Sequence, residues 1–260
     1  MLSLAGVLLD IQGTLLDASN RAIPGAPEAI ASLERTGLHV GYVTNIDSVG
    51  PRTILARLQT AGIPARLDEV FTPVAALLGF LSHQPDAACH LLLPEELSAE
   101  LAAYAAEPGR QADFVVLGDM KAGFTYERLN DALRQLQGGA RLVALNKGRY
   151  YLGPEGSLLD TGAFASALEY GASTEAYVIG KPSTELLRLA LEDMGVAPEN
   201  AVMVGDDVAA DVGGGHHVGA RTALVRTGKF TMEALAAAPI QPDIILDSVA
   251  DLPAALNGIR

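Results

Sequence analysis

Six polar residues stand where a chain of alternating strands and helices could use them together: Asp10, Gln12, Thr44, Lys181, Asp206 and Asp211. Asp10 closes the apolar run GVLLD, Thr44-Asn45 closes HVGYVTN, Lys181 follows EAYVIG, and Asp206-Asp207 follows AVMVG with Asp211 one helical turn further on. Each has a bland use on its own. A strand-end aspartate caps a helix, a threonine fills a strand, Gly-Lys-Pro turns the chain, and Gly-Asp-Asp is a common loop. The order D-x-x-G-T-L, V-T-N, G-K-P, G-D-D-x-x-x-D, each after an apolar strand, makes them a set. If the strands are neighbours, the carboxylates of Asp10, Asp206 and Asp211 resist joint ionisation without a cation. Carboxylate oxygens with a backbone carbonyl and waters suit Mg2+. A metal there would screen a phosphoryl group from Asp10, which could then attack phosphorus as a nucleophile. Lys181 would offset charge on Asp10 and on the phosphoryl oxygens. Thr44 would donate to one of those oxygens. Backbone N–H groups from Ile11 onward, in the turn that Gly13 permits, would add donors.

The elements that must position these residues are legible as runs. Residues 4–9 are uninterrupted apolar, the pattern of a strand covered on both faces. APEAIASLERTG (26–37) has helical spacing and a glycine stop, HVGYVTN (39–45) is a second strand, and RTILARLQTAG (52–62) a second helix. This alternation predicts a parallel sheet with right-handed crossovers. The same grammar returns late in EAYVIG (175–180), TELLRLALEDMG (184–195), AVMVGD (201–206), RTALVRTG (221–228) and DIILDS (243–248), and VADLPAALNGI closes the chain. The stretch 78–174 has its own cycle, with strands expected at HLLLP (90–94), DFVVLG (113–118) and RLVALN (141–146) and a helix at TYERLNDALRQLQGG (125–139). Phe124, Tyr126 and the Ala/Leu stripes there read as core. Sheets of this kind bind ligands at the carboxyl ends of their strands, where the six residues stand.

The chain has 260 residues and a formal charge of −13, so its acidic surface repels nucleic acid. The single cysteine, Cys89, excludes an internal disulfide and a thiolate zinc site and suits a reducing, cytoplasmic setting. MLSLAGVLLD has no basic residue ahead of its apolar run and reads as a strand rather than a leader, and the run VAALLGFL is too short to span a bilayer. No membrane partner is expected. His216-His217 in GGGHHVG points its two rings in different directions on a helix and reads as surface.

The four segments resemble the four motifs of the haloacid dehalogenase superfamily, and the likeness covers almost the whole chain. ALNKGRYYLGPEG (144–156), followed by FASALEYG and VIGKP, is similar to the subgroup whose large α/β cap is inserted between the second and third motifs. The resemblance implies an α/β fold with a Rossmann-like core, a parallel sheet with helices on both faces. It divides the chain into a core of 1–77 and 175–260 and an inserted cap of 78–174 that covers the site and sets substrate choice. It implies Asp10 as nucleophile, Thr44 and Lys181 as phosphate and charge handlers, Asp206 as metal ligand, Asp211 as a direct or outer partner of the metal, Mg2+ as cofactor, and a homodimer. It also favours a substrate-binding role for the cap turn Asn146, Lys147 and Arg149, beside Tyr150 and Tyr151. Read from the residues alone, that turn is equally a solvated basic turn with tyrosines packed on a sheet.

This sequence departs from the superfamily pattern at Gln12. Phosphatases of the superfamily usually carry there a second aspartate, which protonates the leaving group and later takes a proton from the attacking water, while its backbone carbonyl binds the metal. Close relatives in this branch carry serine. Glutamine keeps the carbonyl but exchanges no protons, so an acid–base contribution of roughly 10²–10⁴-fold is lost or supplied elsewhere. The expected activity is a slow or narrow phosphatase favouring good leaving groups. Two other readings stand beside it, an engineered substitution that traps a complex and a protein that binds phosphorylated ligands without turnover. A receiver-type signalling domain is disfavoured by the long step from Thr44 to Lys181, and a dehalogenase by the acidic set, since that reaction needs no metal.

Overall fold

The computed structural model describes residues 4–153 and 156–257. Pro154 and Glu155 of the ALNKGRYYLGPEG segment lie outside them, as do the first and last three residues. In chain order the strands are β1 (Gly6–Asp10), β2 (His39–Val43), β3 (Val70–Phe71), β4 (Cys89–Leu92), β5 (Phe114–Leu117), β6 (Arg141–Ala144), β7 (Tyr150–Gly153), β8 (Gly156–Leu159), β9 (Tyr177–Val178), β10 (Ala201–Gly205), β11 (Arg221–Val225) and β12 (Ile244–Leu246). The helices are α1 (Ala26–Arg35), α2 (Pro51–Thr60), α3 (Pro73–Ser82), α4 (Glu95–Glu100), α5 (Tyr126–Gln137), α6 (Thr161–Ala172), α7 (Thr184–Asp193), α8 (Gly213–Val218), α9 (Met232–Ala237) and α10 (Leu252–Asn257). The chain forms two compact units, one of residues 1–44, 51–71 and 181–260, the other of 45–50 and 72–180.

The first unit is built on a six-stranded sheet in the order β12-β11-β10-β1-β2-β3, and every pairing is parallel. Every residue of β1 and of β10 is buried, as the unbroken apolar runs require of strands covered on both faces. From β1 the chain moves outward to β2 and β3 on one side and later fills β10, β11 and β12 on the other. The reversal falls between β1 and β10, so a crevice opens at the carboxyl ends of these two strands. Helix α1 starts with proline in its first turn and Glu28 beside it and ends with Arg35, in keeping with the helix dipole, and it buries Ala26, Ala29, Ile30 and Leu33.

The second unit holds a four-stranded parallel sheet, β4-β5-β6-β9, and an antiparallel hairpin of β7 and β8. Its core gathers Leu92, Val115, Leu117, Ala132, Leu136 and Leu142, with Phe124 and Phe164 stacked at 3.8 Å between ring centroids. Two readings of the sequence need correcting here. EAYVIG belongs with this sheet: Tyr177 pairs with Val143 and Val178 with Ala144, so the strand before Lys181 is not a neighbour of β1. Tyr126 is 80% exposed rather than core, because it opens α5 just after the Thr125 cap, whose hydroxyl accepts from Arg128 N–H at 3.3 Å. Helix α3 carries VAALLGFL and buries Val74, Ala76, Leu77 and Leu81; among the described residues no helix is long and apolar enough to cross a membrane.

Candidate active site

The register of the sheet brings the first group together. Asp10 ends β1 in register with Val43, so Thr44 stands one residue further along the neighbouring strand end. Leu9 is in register with Val204, which sets Asp206 just beyond the end of β10 on the other side. Past β10 a single π-helical turn, Val208–Val212, carries Asp211 back toward the sheet. Lys181 enters from the start of the segment leading to α7.

Lys181 Nζ donates to Asp10 Oδ1 and to Asp211 Oδ1, both at 2.6 Å. All four residues are buried: Asp10 is 7% exposed and Lys181, Asp206 and Asp211 are 2% or less. Burial works against the Lys181 charge, but Asp10 and Asp211 outweigh it and hold the ammonium above its usual range. Asp206 is pushed up to about 8 by burial and then by the charges of Asp10 and Asp211. Burial likewise lifts Asp211 to about 7, against the pull of Lys181. Two of the three carboxylates are thus bonded to the ammonium, and one oxygen from each of the three lies within 4.8 Å of the others. Oxygen donors, an excess of negative charge and shared burial are the properties of a site for a hard divalent cation, and the set can hold one.

The remaining residues of this unit are engaged in ways that sort them. Asp211 Oδ2 also accepts the Asp207 N–H at 3.0 Å, so both its oxygens carry protein hydrogen bonds. Asp207 is outside the cluster; its Oδ1 accepts from Ala209 and Ala210 N–H at 3.0 Å, and its Oδ2 meets Lys229 Nζ at 3.3 Å. Gln12 Nε2 donates to the Asp17 carbonyl at 2.6 Å. The Asp17 carboxylate in turn accepts from Ser19 and Arg21 N–H and pairs with the Arg21 guanidinium. Ile11 is buried, and its carbonyl accepts from Leu15 and Leu16 N–H. The Gly13 N–H is bonded to the Leu16 carbonyl at 2.7 Å, which withdraws one of the donors expected from that turn. Thr44 is 1% exposed, and its N–H donates to the Phe71 carbonyl at 3.1 Å. His216 and His217 are exposed on α8.

Asn45, Asn146, Lys147 and Arg149 lie in the second unit. Asn146 Nδ2 donates to Asp160 Oδ1 at 2.8 Å, and its Oδ1 accepts from Gly148 N–H at 2.7 Å and from Asn45 Nδ2 at 3.4 Å. Lys147 forms an ion pair with Glu169, so the basic turn is half neutralised; Arg149 is exposed. Tyr150 is 47% exposed on the hairpin. Sequence reading missed Asp47, which is 2% exposed and accepts from Thr161 Oγ1 at 2.7 Å. Burial raises its carboxyl well above the ordinary range, the Thr161 bond opposes this, and Asp160 and Asp119 add to the rise. A carboxylate so raised contributes its full stability below the unfolded value near 4 and loses it as pH climbs toward the folded value. Asp47→Asn keeps an acceptor for Thr161 and removes the charge. Thermal melts are expected to show the variant higher by about 3 °C at pH 8, the gain vanishing near pH 4; a constant difference across that range counts against a buried charge.

A parallel α/β enzyme with an acidic, cation-capable crevice is the class that this geometry defines. Residues 7–107 match the family model of haloacid dehalogenase-like hydrolases, and residues 178–252 match a second, HAD-hydrolase-like model. Phospholysine phosphohistidine inorganic pyrophosphate phosphatase of Rattus norvegicus is 39% identical over 230 residues, which are 86% of this chain and 84% of that protein. Haloacid dehalogenase-like hydrolase domain-containing protein 2 of Mus musculus is 37% identical over 228 residues, 88% of this chain and 86% of that protein. Among solved structures, p-nitrophenyl phosphatase from Archaeoglobus fulgidus superposes with a TM-score of 0.90 at 29% identity, covering 97% of this chain and 99% of that one. The chain belongs to the haloacid dehalogenase-like hydrolase family.

Proposed function

We propose that the chain is a Mg2+-dependent phosphatase that works through an aspartyl-phosphate on Asp10 and favours substrates with good leaving groups. The observation that carries this reading is the buried cluster of Asp10, Lys181, Asp206 and Asp211 at the switch point of the sheet, with an amide in place of a proton carrier two residues after Asp10. Asp10, Asp206 and the Gln12 carbonyl would hold the ion, which supplies positive charge to the phosphoryl oxygens. Asp211, with both oxygens already bonded, serves chiefly to hold Lys181.

Lys181 fixes Asp10 through Oδ1, so Oδ2 is the attacking oxygen. The Oδ2–phosphorus bond forms as the bond to the leaving oxygen or nitrogen breaks, and the leaving group takes the electron pair. Thr44 steadies a phosphoryl oxygen by donating its hydroxyl. Water then bonds to phosphorus, the Oδ2–phosphorus bond breaks, and Asp10 departs as a carboxylate that needs no proton. Water's protons pass to phosphate and solvent. Only the first departure calls for an acid, and Gln12 Nε2 is tied to the Asp17 carbonyl while Oε1 carries no proton. Nitrophenolate, phosphate leaving an anhydride, and phosphoramidate nitrogen that arrives protonated all leave without one. The names of the Rattus relative's substrates, with phosphorus–nitrogen and anhydride bonds, fall in this group.

Turnover of nitrophenyl phosphate and pyrophosphate is expected to exceed that of an alkyl phosphate by about 10²-fold or more, the low end of what acid catalysis contributes. Gln12→Asp should narrow the gap by raising the alkyl rate about tenfold. The gain stays below the full range because aspartate, one methylene shorter, releases the Asp17 carbonyl and loosens the 17–21 loop. Equal and fast rates on all three substrates in the wild type would remove the leaving-group argument.

A further inference from the structure

A second loop closes over the same cluster from the far side of β10. After β11 the segment Thr227-Gly228-Lys229 turns back toward β1. The Lys229 N–H donates to Asp206 Oδ2 at 2.6 Å, and Thr227 Oγ1 donates to the Gly13 carbonyl at 2.6 Å. Gly228 has φ +56°, and a Cβ there would stand 1.9 Å from Asp206 Oδ2 and 2.7 Å from Gly13 Cα. Gly13, at φ +91°, would place its own Cβ 2.1 Å from the same oxygen. The Asp206 carboxylate therefore lies in a slot between two glycine backbones that no side chain can share. Fixing one of its oxygens fixes the plane of the group, and so the direction of the other oxygen.

We propose that Thr227, Gly228 and Lys229 form a positioning clasp for a divalent cation: they set the Asp206 carboxylate and the turn that follows Asp10 at ligand spacing before any ion arrives. The proposal rests on the metal reading given above. It assigns the segment no contact with the phosphoryl group. The Thr227 bond ties the clasp to the peptide next to Gln12, whose carbonyl is one of the oxygens a metal would use. Groups that orient metal ligands without touching the ion change affinity by about 10- to 100-fold when removed. Thr227→Val keeps the shape of the side chain, deletes the donor and leaves the Gly13 carbonyl unpaired. Thr227→Ser keeps the donor.

The test is calorimetric titration of the full chain with Mg2+ or Mn2+ alone, without substrate, beside turnover measured across a range of Mg2+. Thr227→Val is expected to weaken the metal Kd about tenfold and to raise the half-saturating Mg2+ by the same factor, while kcat recovers at saturating metal. Thr227→Ser should bind as the wild type does. Gly228→Ala, with its methyl against Asp206, should lose most metal binding. Wild-type-like affinity in Thr227→Val overturns the clasp alone. A wild type that binds neither ion overturns the metal reading and the clasp with it.

Discussion

Asp10→Asn is expected to lower nitrophenyl phosphate turnover by about 10³-fold or more, the scale of loss when a covalent nucleophile is removed. The amide keeps an oxygen for Lys181, which also retains Asp211, so the hydrogen bonds of the cluster persist. What goes is the attacking oxygen and one of three negative charges. Asp206 is held up in part by the charge of Asp10, so the substitution relieves a like-charge contact. The metal-free variant should therefore melt no lower than the wild type at pH 8. That combination, dead but intact, separates lost chemistry from lost fold. Acid-quenched wild type, digested and weighed, should carry phosphate on the peptide containing Asp10. Retention of more than a tenth of the activity in Asp10→Asn, or phosphate on another residue, defeats the nucleophile assignment.

How much of this was legible in the sequence depends on how local the cause is. β1 and β10 could be read because strands covered on both faces are written as unbroken apolar runs. The residues just beyond such strands could be named because parallel strands deliver their carboxyl ends to one edge. Lys181 stands beside Asp10 and Asp211 although the strand before it belongs to the other sheet: Tyr177 and Val178 pair with β6, and two residues of edge strand carry no pattern that names their partner. The Lys147–Glu169 pair and the buried Asp47–Thr161 contact join residues far apart in the chain, and nothing at either end announces the other. The Thr227–Gly13 bond spans 214 residues, and RTALVRTG reads only as a strand and a turn until the fold brings it home. Gln12 shows the opposite case, a departure visible at once whose engagement with the Asp17 carbonyl only the structure supplies.

Lys181→Met is expected to injure the fold as well as the chemistry, by an amount that depends on pH. In the wild type one buried ammonium answers three buried carboxylates. Removing it leaves charges without a partner, and breaking a buried pair this way costs about 3–5 kcal/mol. The carboxylates can escape by taking up protons. Asp211 is already lifted to about 7 with Lys181 pulling it down, so it rises further when the lysine goes. Asp206, at about 8, stays raised by burial and by the charges of Asp10 and Asp211. For each, the folded value exceeds the unfolded one, so the folded state binds more protons between roughly pH 4 and pH 8 and loses stability as pH rises through that window. The deficit of Lys181→Met should be small at pH 5 and largest at pH 8 and above, where a cost of 3 kcal/mol lowers the melting temperature by roughly 6–12 °C. A divalent cation supplies the missing charge by another route: without the neighbouring ammonium the carboxylates of the variant bind it more tightly than those of the wild type do, and at saturating ion a hundredfold difference in affinity returns about 2.7 kcal/mol of the deficit. Melts at pH 5 and pH 8, with and without Mg2+, therefore form a square in which the pH 8 metal-free corner stands apart. A deficit equal at all four corners would mean that methionine merely packs badly, and the electrostatic account of the cluster would fall.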